Sequence, residues 1–432
     1  MAEKTILFIF RRDLRVHDNT AWDQAQEYAR VHRCKVLPIF IFSGKQVRKD
    51  RNPYYNGRAG EFMIECLQSL SRDLGQRLQF FYTKDSDLAV LNRFFPDAAA
   101  VAFNMDLTPF ARARDAEIRE WCRDRQIPCI APEDYTMYTM EQAASLSASG
   151  RAFKVFTPFF AAAKKRLTVR KPKAASRIPR GPAPKRIKGS TSLAEMTKKY
   201  FPATTTKTAT GGRAQALAIL SDLAGGKFRS YDATHDIPAL DSTTHLGAHL
   251  KFGTISCREA YHAFAKNGSA KLLEQIHWRD FYYAFAYAYP ASLNGQLGGA
   301  HENEFYYGKF RPGHAWSAAQ DDVFEKWKGG RTGVPLVDAA MRCLAATGWL
   351  HNRLRMVVAM YLVRDQNVDW RKGERYFAQV LTDYDAINNN MGWVWALTYR
   401  HKLSPYRQAE RFDGDGKFVE TWLADADQMK KQ

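Results

Sequence analysis

Thr382–Trp395 reads TDYDAINNNMGWVW. Asp383 and Asp385 stand two apart, Asn388, Asn389 and Asn390 follow, and Trp393 and Trp395 close the stretch. A core helix would not carry so many polar groups, because each one buried without a partner costs about 1–3 kcal/mol. A solvated loop would not carry two tryptophans. Two readings stand on the residues alone: the wall of a ligand pocket, polar on one side and aromatic on the other, or a polar turn capping a buried helix.

From Gly212 onward an apolar period of 3.6 recurs, as in Ala214–Leu223 and Leu272–Tyr287, with no β-like run; this predicts an all-α domain over 212–432. The start of the chain differs. Thr5–Phe10 (TILFIF) and Lys35–Phe42 (KVLPIFIF) are apolar runs of the kind buried parallel strands show, and Leu78–Thr83, Ala100–Phe103 and Ile127–Ile130 repeat them. Glu61–Leu74 between them has helical periodicity. The alternation predicts a doubly wound, Rossmann-like parallel sheet over 1–135. No glycine-rich dinucleotide turn follows the first strand; Arg11-Arg12-Asp13-Leu14-Arg15 stands there instead, so no NAD site is expected.

Residues 136–211 read as a connector punctuated by Pro and Gly. Within it, 151–190 hold thirteen Lys/Arg and no acid, more than half of the net charge of +19. Such a run is a solvated linker, and it also attracts polyanions. Pro184–Lys188 (PKRIK) has the composition of a nuclear signal. No apolar run approaches the length of a membrane span, and Met1–Lys4 lead directly into the first strand without a secretory pattern. The six cysteines show no zinc or CxxC spacing, as expected of reduced thiols in an intracellular protein.

Trp327–Asp338 (WKGGRTGVPLVD), Thr347–Met356 (TGWLHNRLRM) and Asp369–Phe377 (DWRKGERYF), in that order before TDYDAINNNMGWVW, resemble the flavin-binding helical domain of the photolyase/cryptochrome family. Class I cyclobutane pyrimidine dimer (CPD) photolyases are the most similar members. The likeness runs from Phe8–Asn19 (FIFRRDLRVHDN) to about Trp422. It implies a monomer that binds FAD and UV-damaged DNA in a prokaryotic cytoplasm or a eukaryotic nucleus. It also implies an α/β domain able to hold an antenna chromophore, methenyltetrahydrofolate or a deazaflavin. A (6-4) photolyase and a non-repairing blue-light receptor are the alternatives.

The resemblance assigns roles. Tyr231, Thr243, Thr244, His245, Leu246 and Gly247 hold the flavin diphosphate, Gly247 standing where family members usually have Ser. That segment can equally be an ordinary helix cap. Arg279, Arg355, Asp383 and Asp385 hold the rest of the cofactor. Asn389 falls nearest its redox-active nitrogen, an Asn being the repair-type residue. Trp278, Met356 and Trp395 wall a lesion pocket in which Gln275 and Asn352 hydrogen-bond. Gln275 replaces the usual Glu and cannot supply a proton. Arg353 faces outward to phosphates, about 200° around a helix from the inward Arg355. Lys402 and Arg400 offer further phosphate contacts after a shortened segment, Ala396–Ser404. Trp316, Trp370 and Trp393 match the electron relay. Asn104 and Asp106 match antenna contacts, or cap the helix opening near Thr108 and Pro109.

Overall fold

The computed structural model describes residues 4–147, 152–175, 185–202, 209–267, 269–294, 319–399 and 401–429. Trp316 and Arg400 lie outside these residues.

Five strands, β1 (Thr5–Phe10), β2 (Lys35–Ser43), β3 (Gln79–Thr83), β4 (Ala100–Ala102) and β5 (Cys129–Ile130), form one parallel sheet in the order β3-β2-β1-β4-β5. Alternate residues of β1 serve two cores. Ile6, Phe8 and Phe10 pack with Trp22 on one face, and Leu7 and Ile9 pack with Phe81 and Trp121 on the other. Burial on both faces is why the strand reads as an unbroken apolar run. The order reverses between β1 and β4, and sheets of this kind bind ligands outside the strand ends at that reversal. Arg11 and Arg12 leave β1 at that point.

The connector carries more structure than its punctuation suggests. Helix Phe156–Arg166 packs on the helical region, and helix Leu193–Tyr200 opens with a reciprocal Ser192/Glu195 cap. Phe201 then seats against Gly60, where a β-carbon would fall 2.1 Å from the ring.

The remaining described elements are helical. Three of them frame the site: Ala270–Ala288, Asn352–Met360 and Ala386–Thr398. Helix Trp370–Val380 backs the last; Gly373 gives way to the Trp393 ring, 2.1 Å from where a β-carbon would stand. The sheet and the helices are joined by a buried ion network in which Asp134 pairs with Arg15 and, at 2.7 Å, with Arg258, while Asp18 accepts from Arg258 Nε at 2.7 Å. Charges this deep are tolerated because each is matched.

Candidate functional site

Asp385 caps the helix Ala386–Thr398, accepting from the N–H of Ile387 at 3.1 Å and of Asn388 at 2.9 Å. The cap turns the following residues inward, and they line a cavity of about 370 Å³. Arg279, Arg355, Asp383, Asp385 and Asn389 contribute to its polar part; Trp278, Met356, Trp393 and Trp395 contribute to its aromatic and apolar part, with Tyr282, Phe377 and Leu381 among the rest. Gln275 and Asn352 also line it, and both line a second, polar cavity of about 380 Å³ with Tyr231, Thr243 and Arg353. Eleven assigned residues from three separate stretches therefore meet at one cavity.

Arg355 Nη2 donates to Asp383 Oδ2 at 2.8 Å, and its Nε donates to the carbonyl of Leu350 at 2.8 Å. A β-carbon on Gly247 would lie 2.8 Å from Asp383 Oδ2, so glycine leaves room for this carboxylate. Asp385 is held further inside. Arg12 Nη1 donates to it at 2.6 Å and Tyr283 Oη at 2.7 Å. Burial pushes its carboxyl up, but Arg12, Arg279 and the Asn388 N–H outweigh this and hold it at about 2. Asn389 Nδ2 donates to Glu374 Oε1 at 3.0 Å. Burial lifts Glu374 to about 7 against the hydrogen bonds from Asn389 and Tyr384.

Several expectations need correction. The hydroxyl run before Gly247 does not cap its helix: Leu246 is the N-cap residue and makes no side-chain bond. His245 takes the left-handed backbone (φ 51°), and its ring lies on Trp349 at 4.2 Å. Thr244 makes only a long contact, its hydroxyl 3.5 Å from the Leu246 N–H. Arg353 is already paired, donating to Asp236 at 2.8 Å and lying over the Phe412 ring at 4.5 Å. Exposed Asn352 remains the outward group of that turn. Lys402 pairs with Asp365.

Asn104 is fully buried; it donates to Asp13 at 2.6 Å and to Asn19 at 2.7 Å, and accepts from the Ala21 N–H at 3.0 Å. It is a structural clamp and does not line the cavity expected to hold a second chromophore. Asp106 does line that cavity, but Arg12 Nε is bound to it at 2.5 Å. The cavity, of about 740 Å³, lies between the end of β1 and the helical region. Phe40, Tyr54, Phe110, Tyr384 and Trp370 give it aromatic walls. Lys251 also lines it, has no ion-pair partner among the described residues, and holds Nζ over the Phe252 ring at 4.0 Å. Burial lowers its ammonium to about 8, opposed by Asp385 and Asp383.

Trp370 and Trp393 are 3% and 2% exposed, so neither ring meets solvent directly. Trp370 lines the larger cavity and Trp393 the smaller. Trp393 meets Phe377 at 5.1 Å and fully buried Trp327 at 6.2 Å. Reading the sequence missed Arg12, Lys251 and Glu374. A half-buried lysine that forms no ion pair among the described residues, beside an aromatic cavity, is a signal only once the fold has brought its lining together.

An open parallel sheet joined to a helical domain, with one polar-aromatic cavity among the helices and another at the sheet's reversal point, is an architecture suited to a flavoprotein. Residues 6–180 match the family model for DNA photolyase and residues 272–432 that for the FAD binding domain of DNA photolyase. The deoxyribodipyrimidine photo-lyase of Alkalihalophilus pseudofirmus is 31% identical, over 96% of this chain and 86% of that protein. The archaeal photolyase from Sulfolobus tokodaii, solved with two FAD molecules, superposes with TM-score 0.79 at 34% identity, covering 97% of this chain and 90% of that one. A bacterial class III photolyase from Agrobacterium tumefaciens gives TM-score 0.82 at 26% identity, covering 98% and 87%. The chain belongs to the DNA photolyase family.

Proposed function

We propose that this protein is a light-driven DNA repair enzyme that splits cyclobutane pyrimidine dimers, with FAD held among its helices. The supporting observation is the 370 Å³ cavity, which sets a charged half (Arg355–Asp383, Asp385, Arg279) against an apolar half (Trp278, Met356, Trp395). The residues fit the cofactor: Gly247 leaves room beside Asp383, the buried Trp393 Nε1–H lacks an acceptor among the described residues, and the two cavities share Gln275 and Asn352, giving room for a dinucleotide. When bound and reduced, FAD supplies one electron under light and receives it back after the dimer's two carbon–carbon bonds have split. The chain's part is placement and exclusion of water. Trp278 and Trp395 offer aromatic surface to a flipped-out pyrimidine pair, and Gln275 and Asn352 offer amides to its carbonyls.

Asn352, which stands beside His351 on the lesion side, is an amide and cannot act as a general acid at neutral pH. His351, beside Asn352, is buried, accepts the Arg353 N–H at 3.2 Å, and is held by burial at about 4, so it stays neutral. A (6-4) product needs a proton donor beside the lesion; a cyclobutane dimer does not. Repair of defined CPD and (6-4) oligonucleotides with and without blue light tests this assignment: (6-4) repair with CPDs left intact would reject it. Gln275→Glu should raise dimer affinity or repair yield roughly fivefold, the about 1 kcal/mol by which a charged acceptor exceeds a neutral one.

We place the enzyme inside the cell as a monomer, divided at 1–135, 136–211 and 212–432; among the described residues no helix is long and apolar enough to cross a membrane. The 740 Å³ cavity suits an antenna chromophore, planar for its aromatic walls and anionic for Lys251. Lys251 is a cation below about 8. Retention of an anionic chromophore should therefore be flat at lower pH and fall by roughly tenfold per pH unit above it. Equilibrium dialysis of a deazaflavin across pH 6–10 checks this, and Lys251→Met should remove both the affinity and the pH dependence.

A further inference from the structure

The closest ring stack among the described residues joins the connector to the candidate lesion pocket. Phe156, the first residue of helix Phe156–Arg166, lies 3.8 Å from Trp278 with the planes 10° apart. Phe156 is buried and lines none of the cavities described above, whereas Trp278 lines the 370 Å³ cavity. One indole face is thus covered from behind, and the ring meets the cavity with what remains. Phe281 and Tyr282 close on the indole at 5.8 and 5.6 Å at steep angles, so Phe156 alone lies parallel to it. Phe156 is itself backed by Phe160 at 5.4 Å and 13°, and Phe160 is packed edge-on against His277 at 4.9 Å. The stack therefore rests on a helix anchored at two adjacent positions of the pocket-forming helix.

We propose that Phe156 is a positioning residue for lesion recognition: it fixes the plane of Trp278 so that the indole is already oriented when a damaged pyrimidine pair arrives. The proposal rests on the reading of Trp278 as a pocket wall. An indole on a half-exposed helix face has several rotamers, and ordering it on binding would subtract from affinity. A parallel ring on its far side removes that freedom beforehand, as supporting residues do in preorganised sites. The connector thereby contributes to substrate recognition through one side chain, apart from any attraction by its basic run.

The experiment is a double-mutant cycle read by affinity for a CPD-containing oligonucleotide and for the same undamaged sequence, using FAD-loaded protein. Phe156→Leu should weaken binding to damaged DNA by roughly threefold to tenfold, the span of an aromatic pair, with little change for undamaged DNA. Phe156→Tyr should restore the wild-type value. In a Trp278→Ala background, Phe156→Leu should add nothing. Phe159→Leu is the comparator: Phe159 is 1% exposed on the same helix and reaches the indole only through Phe281, at 5.4 Å, so it loses core packing without removing the parallel ring, and it should leave most of the discrimination intact. A neutral Phe156→Leu beside a weakened Trp278→Ala overturns the proposal alone. So does an equal loss from Phe159→Leu, or a loss that persists without Trp278. An unaffected Trp278→Ala overturns the reading of the pocket and the proposal with it. Should Phe156→Leu fail to fold, Phe156→Met takes its place in the cycle.

Discussion

Asp383→Ala should strip flavin from the purified protein. Asp383 is the carboxylate that both Arg355 and the close approach of Gly247 are built around, and its removal leaves the guanidinium facing the cavity without its partner. Breaking one side of a fully buried pair costs about 3–5 kcal/mol; these side chains keep 26% and 15% exposure, so we take about 2–3 kcal/mol. If that loss falls on cofactor binding, affinity drops roughly 30- to 150-fold. The check is the flavin-to-protein absorbance ratio after gel filtration, followed by titration with added FAD. Asp383→Asn keeps the shape but not the charge, and should fall between wild type and alanine. Full flavin content in Asp383→Ala would show that the Arg355–Asp383 pair serves packing alone.

The pair illustrates what a sequence can disclose. Arg355 stands on helix Asn352–Met360 and Asp383 28 residues on, in the turn before Ala386–Thr398; their partnership came from motif resemblance, since no periodicity links them. The strands were legible for a simpler reason: a strand buried on both faces must be apolar throughout, and β1 is apolar at every position after Thr5. The connector was legible only in part, because Phe201 docks on Gly60 through an aromatic contact that leaves no period to detect. The pairing of Arg353 with Asp236 was not legible, because helical spacing gives the angle between Arg353 and Arg355 but not what lies opposite either of them; Asp236 lies 117 residues upstream. Arg12 was invisible for the same reason. It bridges Asp106 and Asp385, 94 and 373 residues distant, and only the docking of sheet on helices makes it the common partner of both cavities.

The other large effect falls on the relay. Trp393→Phe should abolish light-driven reduction of oxidised flavin while leaving repair by chemically pre-reduced enzyme at the wild-type rate. Trp393 lines the cofactor cavity, is 2% exposed, and is the tryptophan of the three assigned to the relay that does so among the described residues. An electron reaching the flavin from the protein starts on a ring that is both close and oxidisable, and phenylalanine is not oxidisable under these conditions. Trp327 lies behind it with its indole N–H given to the Val358 carbonyl at 3.0 Å, and it does not line that cavity. It cannot stand in at the first position. The substitution keeps an aromatic ring between Phe377 and Gly373, and its packing cost of about 1–2 kcal/mol should leave the fold and the flavin in place. Splitting the lesion needs the electron already on the reduced cofactor and draws nothing from the relay, which is why the two activities should separate. The measurement is blue-light photoreduction with an external thiol donor, set beside single-turnover repair after dithionite reduction. Photoreduction at the wild-type rate would remove Trp393 from the relay. Loss of both activities would mean that its ring helps to seat the cofactor.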